Sequence, residues 1–154
     1  MIIQKKCQKI ILSAIMCYSI NTYAANENCM QSLDNFKCLE FIKNYDGDTA
    51  TFNVPNIHPL FGQKLNISLA KVKSPSIYSR NKCEKKLAKE IKIKVRKILK
   101  DAKSIEVKNI ARDKKFAIKG ELFIDGKSLS KRLLKEQMAV PIKDYKNTDW
   151  CKIG

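Results

Sequence analysis

The stretch KNYDGDTATFNV, residues 43–54, places two carboxylates either side of a glycine, between the end of one apolar run and the start of another. An Asp-Gly pair flanked by alternating segments is among the strongest short hairpin signals, because glycine accepts the positive φ such a turn uses. Upstream, FKCLEFIKNY (36–45) alternates as a first strand, and TATFNV (49–54) alternates as its antiparallel partner. PNIHPLFG carries Pro55, Pro59 and Gly62 and reads as a loop, with the only histidine, His58, as one of its residues. KLNISLAKV (64–72) returns to period two with Leu65, Ile67 and Leu69 directed inward, and Lys73-Ser74-Pro75 ends this third strand.

From Lys82 to Lys103 the period is helical, with Leu87, Ile91, Val95, Ile98 and Leu99 in one apolar stripe and lysines crowding the other faces. SIEVKNIA (104–111) and FAIKGELFI (116–124) are two further strands either side of a charged turn, and SLSKRLLKEQ (128–137) is a short helix. Phe52, Phe116 and Phe123 alternate as core residues, which leaves Tyr45, Tyr78 and Tyr145 as the aromatics free to meet a ligand. Trp150 beside Cys151 marks the tail as a packed anchor. Three strands, a helix, two strands and a helix make an α+β domain. The order suits a five-stranded OB-fold-type β-barrel with a long helix after strand three and a short C-terminal helix.

Residues 1–24 fall outside that domain. Lys5, Lys6 and Lys9 precede a short apolar core, and Thr22-Tyr23-Ala24 offers a small-x-Ala cleavage site, the order of a secretory signal peptide too short in its apolar part to span a bilayer. The expected mature chain begins at Ala25, has no transmembrane segment, carries an extension over 25–35 and a domain over 36–154, and is periplasmic or secreted. It keeps Cys29, Cys38, Cys83 and Cys151, an even number that suits disulfides in an exported protein. Three connectivities are open from spacing; the pairing expected is Cys83 with Cys151, tying the tail to the start of the long helix, and Cys29 with Cys38. Zinc is disfavoured, since no Cys-x-x-Cys occurs and His58 stands alone. Lysine and arginine outnumber acids 31 to 15, an excess that favours polyanionic partners: nucleic acid, anionic lipid or an acidic protein surface.

DGDT after the first strand, VKSPS after the third, a Cys-bearing helix, RDKKFAIKGELFIDGKSL and a Leu-rich helix ending QMAVPI together resemble the staphylococcal nuclease (thermonuclease) family over about residues 36–151. The exported bacterial branch, which often ends in a Trp-Cys pair, is the nearest in pattern. The resemblance implies calcium-dependent cleavage of phosphodiester bonds by two aspartates, a glutamate and two arginines, because calcium takes oxygen ligands and cations must meet charge developing on phosphate oxygens. Asp48 matches the first calcium aspartate. Lys73 stands where the second belongs, Ser76 where the catalytic glutamate belongs, and Ser68 and Ala117 where the phosphate-binding arginines belong.

A lysine ammonium has nothing to offer a cation and can pair with Asp48 instead. The implied domain therefore holds no metal or cofactor, does not cleave, and keeps only vestigial positions at Asp48, Lys73, Ser68, Ser76 and Ala117. Its expected use is binding a nucleic acid or another polyanion through Lys89, Lys92 and Arg96 on the long helix, with Arg80, Arg112, Lys114 and Lys115 as further phosphate contacts. An interaction module of the cell envelope or of a secretion or conjugation machine is the alternative reading. An active endonuclease with a relocated site is a second. A monomer is the default oligomeric state.

Overall fold

A computed structural model describes residues 29–114 and 116–153 of the chain. The expected signal peptide over 1–24, the start of the extension and the candidate contact Lys115 lie outside the described residues.

The fold is α+β, with a mixed sheet and three helices. Strands β1 (Glu40–Asn44), β2 (Thr49–Asn53) and β3 (Leu65–Leu69) form an antiparallel meander. A short strand β4 (Val72–Lys73) leads to the long helix α2 (Lys82–Lys100), then to β5 (Ile105–Arg112) and β6 (Ile118–Ile124). Two-residue β7 (Lys127–Ser128), helix α3 (Leu129–Lys135), two-residue β8 (Val140–Pro141) and a 3-10 turn at Tyr145–Asn147 complete the order. The main sheet runs β1-β2-β3-β6-β5 with β7 attached to β6, and β3 pairs with β6 in parallel. A separate two-stranded sheet joins β4 to β8. The segment before β1 crosses to the far edge of the sheet: Phe36 exchanges both backbone hydrogen bonds with Val107, Leu39 N–H donates to Ile105 and Ile110 N–H donates to Asp34.

One core fills the space between sheet and helices, built on Phe52, Ile67, Val107 and Leu122 from the strands, Ile91, Val95 and Leu99 from α2, and Leu133 from α3. In α2, Ala88, Ile91, Val95 and Leu99 are buried at the three- and four-residue spacing of a single helical face, while Ile93 on the opposite side is exposed. Asn81 caps this helix by accepting the N–H groups of Cys83 and Glu84, and Lys97 and Lys100 occupy the last turn, where cations suit the helix dipole.

Several expectations are corrected. The third strand does not run through 64–72; it ends at Leu69, and Val72–Lys73 leaves the main sheet to pair with β8. The proline-rich loop contains a one-turn helix, α1 (Pro59–Gly62), capped by the His58 side chain, which accepts the Leu60 N–H at 3.2 Å. Helix α2 stops at Lys100, three residues short of the expected end. Phe116 is not core: it sits in the β5–β6 turn with φ 61° and is 76% exposed. Gly47 is in the turn without needing positive φ; among the described glycines only Gly126 has that conformation. Its requirement is space, since a Cβ there would lie 2.6 Å from Ile91 Cγ2 and 2.8 Å from Ser74 Cβ.

The four cysteines of the domain are joined as Cys29–Cys38 and Cys83–Cys151. The first pair holds part of the extension on the domain, where Gln31 Nε2 also donates to the carbonyls of Cys29 and Pro55. The second draws the tail onto the start of α2, and Trp150 beside it is buried, with its ring 6.3 Å from that of Tyr145.

Candidate functional site

The Asp46-Gly47-Asp48 turn is closed by the Tyr45 N–H donating to the Thr49 carbonyl, and Asp46 Oδ1 accepts the N–H groups of Asp48 and Thr49. This local side-chain-to-backbone bonding is the ordinary use of aspartate in turns. Asp48 points the other way, into the protein, and is 3% exposed. Its Oδ1 accepts from Lys73 Nζ at 2.8 Å and Thr49 Oγ1 at 3.0 Å; its Oδ2 accepts from Ser74 N at 2.6 Å and Ser74 Oγ at 2.8 Å. A carboxylate offers about four lone-pair positions, and all are used. No oxygen of Asp48 can meet a cation without breaking one of these bonds.

The arrangement is a clamp between elements distant in the chain. Asp48 binds Lys73 of β4 and Ser74 just after it, Gly47 lets Ser74 and the α2 residue Ile91 approach, and buried Asn44 donates to the carbonyls of Asp46 and Lys92 while accepting from Arg96 Nε. Burial works against the Lys73 ammonium, but the charge and hydrogen bond of Asp48, with Asp46 and Tyr145 adding, outweigh it and hold its pKa above the ordinary lysine value. Tyr145 is likewise raised, by burial first and then by the negative charge of Glu84, so its hydroxyl keeps its proton.

Asp46 is raised by burial and by the charge of Asp48, against the opposing pull of the Asp48 and Thr49 N–H groups and Lys73. A carboxyl with a raised folded pKa contributes stability that is fully present below its unfolded value, about 3.8, and lost as pH rises through the folded value. Asp46→Asn keeps an oxygen for the two backbone donors and removes the charge. Its urea midpoint is expected above that of the wild type at neutral pH, with the gap closing on acidification towards 3.8. A gap that widens in acid contradicts this account of Asp46.

The other vestigial positions are scattered over the same side of the sheet and the loop beside it. Ser68 lies opposite Thr49 in the β2–β3 register, and its Oγ is 3.0 Å from Thr49 Oγ1. Lys119 is its partner on β6 and pairs with Asp113 at 3.3 Å, so the cation beside Ser68 is one that sequence reasoning missed. Ala117 is exposed in the β5–β6 turn and its N–H donates to Asp113. Ser76 N–H donates to Glu84 Oε1 at 2.9 Å, and Ser79 Oγ donates to Glu84 Oε2 at 2.6 Å. Glu84 was missed as well; the sequence places it in the first turn of α2, but its partners Ser76 and Ser79 lie in the patternless loop before the helix. Among the described residues, Ser68 Oγ meets Thr49, Ser74 Oγ meets the fully bonded Asp48, and Ser76 Oγ accepts the Tyr78 N–H. Among the described residues there is no group of three or more His, Cys, Asp or Glu side chains arranged to hold a metal ion.

The candidate cations separate into two sets. Lys85, Lys89, Lys92, Arg96 and Lys100 follow one another at three- or four-residue spacing along a flank of α2, and none has an acidic partner within 4.0 Å among the described residues. Arg96 is partly committed to Asn44. Arg80 precedes the α2 cap, while Arg112 ends β5 and Lys114 lies in the β5–β6 turn, and Arg112 Nη1 donates to the Phe116 carbonyl. All three are exposed. Tyr78 is exposed in the loop before α2, Tyr45 is partly exposed beside the turn, and Tyr145 is half-buried.

No helix among the described residues is long and apolar enough to cross a membrane. None of the protein-family models compared with the chain matches it, and none of the curated proteins does.

Proposed function

We propose that this chain is an exported, staphylococcal nuclease-like domain that binds nucleic acid through the basic flank of α2 and does not cleave it. The observation that carries the reading is the complete engagement of Asp48: the carboxylate that would hold calcium in an active relative is bonded to four donors, one of them the Lys73 ammonium at 2.8 Å. An OB-type architecture is supported by the strand order β1-β2-β3-β6-β5, by α2 inserted between β4 and β5, and by the hydrogen bonds that carry residues 34–39 across to β5. Two disulfides are compatible with an oxidising compartment outside the cytoplasm, in keeping with the signal-like start of the chain.

The unpaired cations of α2 follow a line, as contacts to a phosphate backbone require, and lack interleaved aromatics for base readout. Binding is therefore sequence-independent and electrostatic. Fluorescence anisotropy with short single-stranded DNA and RNA should show tight binding at low salt that weakens steeply as salt is added. Lys85→Gln, Lys89→Gln and Lys92→Gln together should weaken every sequence alike, each lost contact lowering the log–log salt slope by about 0.7–0.9. Calcium should neither induce cleavage nor raise the melting temperature, since a ligand of the folded state must stabilise it. Failure to bind either nucleic acid at low salt refutes the binding reading and leaves the envelope interaction module in its place. Calcium-dependent cleavage that Asp48→Ala abolishes refutes the loss of catalysis.

A further inference from the structure

We propose that the turn His58–Gly62 is a membrane-docking tip that seats Leu60 and Phe61 in the headgroup region of an anionic phospholipid bilayer. Leu60 is 77% exposed and Phe61 66%. Single exposed apolar residues are ordinary, but two large ones adjacent on one surface turn mark a candidate contact surface.

The turn presents them rigidly. His58 Nδ1 accepts the Leu60 N–H, the His58 carbonyl accepts from Phe61 and Gly62, and the His58 and Phe61 rings stand 6.0 Å apart. Val54 N–H donates to the Gly62 carbonyl at 2.7 Å, and a Cβ on Gly62 would lie 2.7 Å from the Val54 carbonyl oxygen, so the turn is pressed directly on the end of β2. Ile57 anchors the approach by packing against the core. The approach to the turn is tied to the extension by Asn56 Nδ2 donating to the Cys29 carbonyl and Gln31 Nε2 donating to the Pro55 carbonyl. Docking therefore orders no loop; the apolar side chains are held outward in advance.

The surrounding charges favour a lipid surface. Lys64 follows the turn, and Lys37 has its backbone N–H bonded to Gln31, whose side chain also reaches the Pro55 carbonyl before the turn; both are exposed and without an acidic partner within 4.0 Å among the described residues. Lys103 flanks the Leu39–Ile42 end of the sheet, towards which β2 delivers this turn. The nearby acids Glu40 and Asp34 accept hydrogen bonds from Asn53 and from Ser32 and Asn35 respectively. Apolar side chains buried at the headgroup boundary, with lysines meeting anionic headgroups around them, are the two components of interfacial binding. Leucine has nothing to offer a nucleic-acid strand, so this surface is separate from the basic flank of α2.

The test is flotation of the purified protein with vesicles of equal parts phosphatidylcholine and phosphatidylglycerol, and with phosphatidylcholine alone. The wild type should float with the mixed vesicles and not with phosphatidylcholine. Leu60→Ser with Phe61→Ser should lower partitioning about tenfold or more, because burial of two large apolar side chains is lost, while the melting temperature stays unchanged. Phe61→Trp should give an emission band that moves to the blue on binding and is quenched by brominated lipid, whereas the wild-type signal from its only tryptophan, the buried Trp150, should not respond. The proposal fails if the wild type ignores the mixed vesicles, if the double serine variant binds as well as the wild type, or if the tryptophan variant binds without quenching. Equal binding to phosphatidylcholine overturns the anionic requirement.

Discussion

Asp48→Ala is expected to destabilise the fold by about 3 kcal/mol, the sum of a buried N–H and a buried hydroxyl left without partners and a lost charge-assisted bond. Ser74, which supplies that N–H and hydroxyl, is 1% exposed, so water cannot readily replace the carboxylate. Lys73 is different: 35% of its side chain is accessible, so the ammonium can turn to solvent once its partner is gone, and the loss stays below that of a fully buried pair. Lys73→Met strands the charge of Asp48 with three remaining donors and should cost about 2 kcal/mol. The double variant should lose less than the two single losses added together, since each removes the same bond. Urea unfolding of the four proteins measures this, and strict additivity would mean that the two groups do not interact.

The pH dependence has a definite sign. Because the folded pKa of Lys73 is raised, its contribution is fully present below the ordinary value of about 10.5 and disappears as pH climbs through the folded value. Alkaline unfolding of the wild type should therefore include a loss that Lys73→Met lacks.

Removing the Cys83–Cys151 bond with paired alanine substitutions is expected to cost about 4 kcal/mol, against about 2.5 kcal/mol for the Cys29–Cys38 bond, by the dependence of unfolded-chain entropy on loop length. The sequence separations are 68 and 9 residues. Loss of the longer link should also free the tail, and because Trp150 is 4% exposed, its emission should move to the red. Equal losses for the two pairs, or an unchanged Trp150 spectrum, would mean that the tail holds its place without the bond.

Period alone was enough to find the elements that are long and half-buried. Thr49–Asn53, Ile105–Arg112, Ile118–Ile124 and the amphipathic α2 all carry a repeat that outlasts local noise. Two-residue strands such as Val72–Lys73 and Val140–Pro141 have no period to detect, and a single helical turn between Pro59 and Gly62 is shorter than one repeat. Phe116 has the same parity as the buried Ile118, Leu122 and Ile124, but alternation assumes an extended chain, and its φ of 61° turns the residue out of phase. The Asp-Gly pair signals a conformational need at Gly47, whereas the need is for space, because the atoms that demand it belong to Ile91 and Ser74, remote in sequence. Charge made the Lys73–Asp48 contact legible; the part played by Glu84 was not, since its partners Ser76 and Ser79 are brought to it by a loop with no pattern of its own.

The path of residues 34–39 along β5 bears on self-association. A strand eight residues long at the end of a sheet would ordinarily offer its outer backbone groups as a template on which a strand from another molecule could grow. Here Val107 already exchanges both bonds with Phe36, Ile105 accepts from Leu39 and Ile110 donates to Asp34, while the register shift between Lys108 and Ala111, with Asn109 at φ 55°, interrupts the regular spacing a recruit would need. The chain occupies its own most templating edge, and the Cys29–Cys38 link fastens the segment that does so.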